Sequence, residues 1–114
     1  MKCRNKILEC AVLLLVCVAA LVACQKEEGG SCKSTSNCAE NLYCFNPTLT
    51  EGTCMTEAKA NAACRAETSC TQDGKCTIDT SGNCLAKTDA DCAQSSGCKT
   101  GGACTASGAG YCKK

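Results

Sequence analysis

Cysteine is the residue type that can do chemistry in this chain. Sixteen of the 114 residues are cysteine and none is histidine. Cys64, Cys70, Cys76 and Cys84 are separated by five, five and seven residues, and Cys92, Cys98, Cys104 and Cys112 repeat those gaps. Cys32, Cys38, Cys44 and Cys54 give a looser copy, with gaps of five, five and nine. Thiols in such numbers either cross-link the chain or hold metal. Structural zinc sites bring cysteines as close pairs with roughly two to four residues between them, often joined by histidine. Every gap within these units is five or more, so the pattern predicts six disulfides and no metal ligands. A thiolate metal-binding protein is the third reading of the chain, behind two given below.

Without histidine there is no imidazole base, no Ser-His pair and no histidine metal site. A Cys-x-x-Cys redox motif is also absent. Asp73, Asp79, Asp89 and Asp91 lack the alternation of a calcium-binding loop and read as solvated turn positions. The chain is therefore expected to be no enzyme and to carry no cofactor. Removal of the first 23 residues leaves nine basic and ten acidic groups with the signs interspersed. With no basic stripe and few aromatic rings, nucleic acid is not an expected partner.

The elements that must position the cysteines are short. After Cys24 the large apolar residues are Leu42, Tyr43, Phe45, Leu49, Met55, Ile78, Leu85 and Tyr111, too few to offset the conformational entropy of the chain without cross-links. Turn residues recur before the third cysteine (Asp73-Gly74, Gly101-Gly102) and before the fourth (Glu51-Gly52, Ser81-Gly82-Asn83, Ser107 to Gly110). They favour reversals between short β-hairpins. Residues 55–63 contain good helix formers but are marginal as an isolated helix, and read as a linker with about one helical turn. The expected fold is small and disulfide-rich: three tandem four-cysteine repeats with short β-hairpins and little helix, after an N-terminal signal helix. The expected repeats are 32–57, 64–87 and 92–114.

Four cysteines allow three pairings per unit. The interleaved one is expected because it ties a whole unit together, where pairing neighbours leaves two separate small loops. It joins Cys32 to Cys44 and Cys38 to Cys54, Cys64 to Cys76 and Cys70 to Cys84, and Cys92 to Cys104 and Cys98 to Cys112.

Ahead of the repeats, Met1 to Lys6 is positively charged, and an apolar run from Cys10 to Ala23 follows. The run is too short to span a bilayer, which takes roughly 20 residues, but suits the apolar region of an export signal. It ends in Leu21-Val22-Ala23-Cys24, which resembles the bacterial lipobox. That resemblance implies a signal peptide at 1–23, cleavage before Cys24, and lipid on the Cys24 sulfur. Residues 24–31 would then be a lipid-anchored tether. It further implies export and attachment to the outer membrane of a bacterial cell, on the periplasmic face or at the cell surface. Cys32 to Cys44, with its two five-residue gaps and Tyr43 before the third cysteine, resembles the Dickkopf-type N-terminal cysteine-rich motif. That likeness implies a compact, non-catalytic module tied by disulfides.

The gap from Cys44 to Cys54 holds the single proline and the single phenylalanine of the chain. Phe45, Pro47 and Leu49 are candidate residues of a recognition loop on a rigid frame; the competing reading is that Phe45 and Leu49 cover the first unit's disulfides. The function expected is a cell-envelope lipoprotein displaying a disulfide-stapled structural or protein-interaction module. Its partners would be the membrane, through Cys24, and an unidentified protein or surface ligand. The alternative is a secreted disulfide-rich protease inhibitor or toxin-like effector.

Overall fold

The computed structural model describes residues 25–114. The expected signal peptide at 1–23 and the expected lipidation site, Cys24, lie outside the described residues. The fold is small and disulfide-rich, with short antiparallel strands, short helices and six disulfides. No helix among the described residues is long and apolar enough to cross a membrane.

The first unit is a three-stranded antiparallel sheet. Strands β1 (Ser31–Cys32) and β2 (Leu42–Phe45) flank β3 (Gly52–Thr56). Cys44 and Cys54 stand directly opposite each other on β2 and β3, yet each bonds elsewhere, Cys44 to Cys32 and Cys54 to Cys38. The Cys32–Cys44 bridge joins the two outer strands across the middle one. Gly52 makes this crossing possible: it pairs with Cys32, and a Cβ there would lie 2.9 Å from the Cys44 sulfur and 2.5 Å from the Phe45 carbonyl oxygen.

Residues 25–31 are not a free tether. Lys26 N–H donates to the Asn37 carbonyl at 2.7 Å, and Ala39 N–H donates to the Lys26 carbonyl at 2.7 Å. Gly29 N–H donates to the Cys54 carbonyl, and Cys54 N–H to that of Gly30, both at 2.8 Å. The expected spacer is backbone-bonded into the first unit. Glu28 forms an exposed ion pair with Lys59.

The expected linker at 55–63 is corrected by the longest helix, α1 (Glu57–Ala66). Thr56 caps it by accepting from Lys59 N–H, and Ala60 and Cys64, one turn apart, are buried on one face. That face meets Ile78, with Tyr43, Phe45, Met55 and Cys84 packed around it. The first and second units therefore share a core. This packing stabilises a helix whose residues alone would be marginal.

The second and third units are built alike. After α1 come α2 (Thr68–Asp73) and the hairpin of β4 (Thr77–Ile78) and β5 (Cys84–Leu85). The third unit has α3 (Asp89–Ala93), α4 (Ser96–Gly101) and the hairpin of β6 (Thr105–Ala106) and β7 (Cys112–Lys113). Equivalent atoms make equivalent bonds. Asn61 Oδ1 accepts from Ile78 N–H at 2.8 Å, and Asp89 Oδ1 accepts from Ala106 N–H at 2.8 Å. In the hairpin turns, Asp79 Oδ1 accepts from Ser81 and Asn83 N–H; the Ser107 hydroxyl accepts from Ala109 and Tyr111 N–H.

The disulfides of these two units correct the expected pairing. The bridges are Cys64–Cys84 with Cys70–Cys76, and Cys92–Cys112 with Cys98–Cys104. They are nested, and the interleaved order is found in the first unit alone. The reason is helical. A short helix carries the second cysteine and ends at a left-handed glycine, Gly74 or Gly102, each with φ +73°. The chain folds back on the helix and sets the third cysteine beside the second. In the first unit Cys38 follows a 3-10 turn (Thr35–Asn37) and no α-helix carries it; the chain turns at left-handed Asn41 (φ +65°) and the third cysteine lies within β2.

Candidate interaction loop

The loop at 46–51 joins β2 to β3 and is held at both ends by disulfide-bonded strands. Phe45 leaves β2 opposite Thr53 and packs half-buried on the core of Ala60, Cys64 and Ile78. It anchors the loop and does not project from it, and the core it packs on is that of α1 and Ile78, whereas the covering reading places it on the first unit's disulfides. Pro47 is exposed; its ring fixes φ and removes a backbone donor. Leu49 is 85% exposed, the most exposed large apolar side chain among the described residues. It covers no disulfide.

Leu49 also has φ +61°, in the left-handed region that a branched residue seldom adopts. The hydroxyls of Thr48 and Thr50 share a hydrogen bond of 2.8 Å across it. The tip is thus closed on itself beneath a leucine that faces solvent. Left-handed backbone at a residue other than glycine costs stability, and such strain clusters at functional sites.

Two features at the base escape a reading of the sequence. Gly52 accommodates Asn46 as well as the disulfide, since a Cβ there would fall 2.8 Å from the Asn46 Cβ. Asn46 Oδ1 is buried with no hydrogen-bond partner, and buried polar atoms are seldom left so. The glycine before the fourth cysteine was visible as a turn signal; the crowding against it was not.

The twelve cysteines among the described residues are all disulfide-bonded. The sulfurs of Cys32, Cys38 and Cys54 lie within 4.8 Å of one another because the two disulfides of the first unit stack. Disulfide sulfur is not the thiolate that binds zinc. Of the acidic residues read as solvated turns, Asp91 is instead buried, at 6% exposure. Its Oδ2 accepts from Lys87 and Thr88 N–H, at 2.9 and 3.1 Å. No protein-family model, curated protein or solved structure matches this chain.

Proposed function

We propose that this protein is a non-catalytic interaction module of a bacterial cell envelope, lipid-anchored at Cys24, which presents the β2–β3 loop to a protein partner. The observation that carries the reading is Leu49: exposed, held at positive φ, and set on two strands clamped by disulfides. Rigidity of this kind lowers the entropy lost on binding. Lys26, bonded to Asn37 and Ala39, would hold the module close to the lipid, with little chain between anchor and fold.

The secreted-inhibitor alternative fits this loop less well. A protease cleft pairs with extended backbone, and the left-handed turn at Leu49 breaks an extended run at the residue best placed to enter a pocket.

The test has two parts. Intact mass of the native protein extracted from membranes should give a chain that starts at Cys24 and carries lipid; an unlipidated chain in the medium would sink the anchoring. Envelope proteins retained on immobilised wild type should be lost on Leu49→Ala, whose fold the melting temperature would show to be intact. Equal retention by both would remove the loop from the proposal.

A further inference from the structure

The second and third units set one disulfide in two environments. Cys70–Cys76 and Cys98–Cys104 each join residues six apart, behind a short helix. The backbone frames match: Gly74 N–H donates to the Cys70 carbonyl at 3.0 Å and Gly102 N–H to that of Cys98 at 2.9 Å. Lys75 N–H reaches the Ser69 carbonyl, and Ala103 N–H that of Gly97, both at 3.2 Å.

The third unit covers the first of these bridges. The Gln94 side-chain amide donates to the Cys76 sulfur at 3.1 Å. A Cβ on Gly74 would stand 2.7 Å from the Cys112 sulfur and 3.0 Å from the Cys92 Cα. Cys70 and Cys76 are both buried. The second bridge is more open: Cys98 and Cys104 are both part-exposed, and a Cβ on Gly102 would meet no atom within 4 Å. Of the six disulfides, Cys98–Cys104 is the one in which neither cysteine is buried.

We infer that Cys98–Cys104 is a thiol-exchange site, open to an attacking thiol while its twin is shut. A thiolate attacks one of the two sulfurs. A mixed disulfide forms there, the Cys98–Cys104 bond breaks, and the other cysteine leaves as a thiolate that takes up a proton. A second thiol displaces the first as its disulfide, leaving both cysteines reduced and the attacking thiols oxidised. Exchange rates depend on access to the sulfur, and access is what separates the twins. Opening this bridge leaves the third unit folded, because Cys92–Cys112 still spans it and the Gly102 and Ala103 backbone bonds retain the reversal. The inference does not depend on lipid at Cys24 or on the β2–β3 loop.

The experiment treats the native oxidised chain with reduced glutathione at mildly alkaline pH, then alkylates and maps the labelled cysteines over time. A parallel arm replaces glutathione with a folded protein bearing a single exposed thiol. Glutathione adducts and alkylation should come first at Cys98 and Cys104, roughly tenfold or more ahead of Cys70 and Cys76. Conjugates at the same two residues in the second arm would extend the site to protein thiols; reaction with glutathione alone would restrict it to small ones. Equal rates for the twins, or first reaction at Cys92–Cys112 or Cys64–Cys84, would overturn the inference. So would persistence of the fast phase in a C98S/C104S double variant. If that variant fails to fold, the wild-type map decides alone.

Discussion

The Thr77 hydroxyl donates to both carboxylate oxygens of Asp91, at 3.0 and 3.2 Å, across the seam between the second and third units. The acceptor stands directly before the first cysteine of the third unit and is almost wholly buried. It also receives the N–H groups of Lys87 and Thr88. One side chain therefore caps α3, orders the connection into it and joins two repeats.

Asp91→Ala strands three donors, two of them on the backbone. Hydrogen bonds to a charged group carry about 1.5–3 kcal/mol, and leaving donors unpaired adds to the cost. Asp91→Ala is expected to lose about 2–4 kcal/mol of stability, and Asp91→Asn less, since one oxygen remains. Denaturant unfolding measures both. A loss under about 0.5 kcal/mol for the alanine variant, the size typical of plain surface changes, would contradict this role.

Gly82 and Gly108 test how units one and two are joined. Both have positive φ, +89° and +77°, in the hairpin turns of their units. A Cβ on Gly82 would come within 2.2 Å of the Cys44 carbonyl oxygen, whereas one on Gly108 meets no atom within 4 Å. Gly108→Ala should cost about 1–2 kcal/mol, the price of the left-handed backbone alone. Gly82→Ala should cost clearly more and expose the core around Ile78 to hydrophobic dye. Equal melting temperatures for the two variants would argue against the contact.

Leu49→Gly separates stability from recognition. Glycine accepts φ +61° without steric penalty, and a side chain 85% exposed contributes little burial. The variant is expected to keep or gain stability, by up to about 1 kcal/mol, while losing any partner that wild type retains. Destabilisation by more than about 1 kcal/mol would mean that Leu49 serves the fold.

The gaps between cysteines made the three units and the disulfide frame legible, and the glycines marked the reversals. What they misplaced was which sulfurs the reversals bring together in the second and third units, where the expected interleaved pairing gives way to a nested one. Gly74 and Gly102 read as turns, but only the short helices ahead of them place Cys76 on Cys70 and Cys104 on Cys98. Residues 55–63 read as a weak helix because propensity does not know that Ala60 and Cys64 will meet Ile78. The bonding of Lys26, Gly29 and Gly30 into the first unit runs through backbone atoms, which leave no mark on side-chain pattern. Leu49 was singled out by its place in the longest gap, and its strained backbone was not visible from there.

The nested pairing makes unequal bridges, and the inequality can be measured. Cys92–Cys112 closes a separation of 20 residues and Cys98–Cys104 one of 6. Chain-entropy arguments assign them about 3 and about 2 kcal/mol respectively. Replacing both partners of the longer bridge by alanine should therefore cost about 1 kcal/mol more than replacing those of the shorter, a further drop of some 4–8 °C in melting temperature for a fold of this size. The same ordering is expected for Cys64–Cys84 against Cys70–Cys76, where burial of the Cys70–Cys76 sulfurs narrows the gap by adding a packing loss. An interleaved frame would instead close 12 residues from Cys92 to Cys104 and 14 from Cys98 to Cys112, so paired removal along either bridge would cost nearly the same. Peptide mapping without reduction distinguishes the frames directly: Cys70 linked to Cys84, or Cys98 to Cys112, would overturn the nested arrangement.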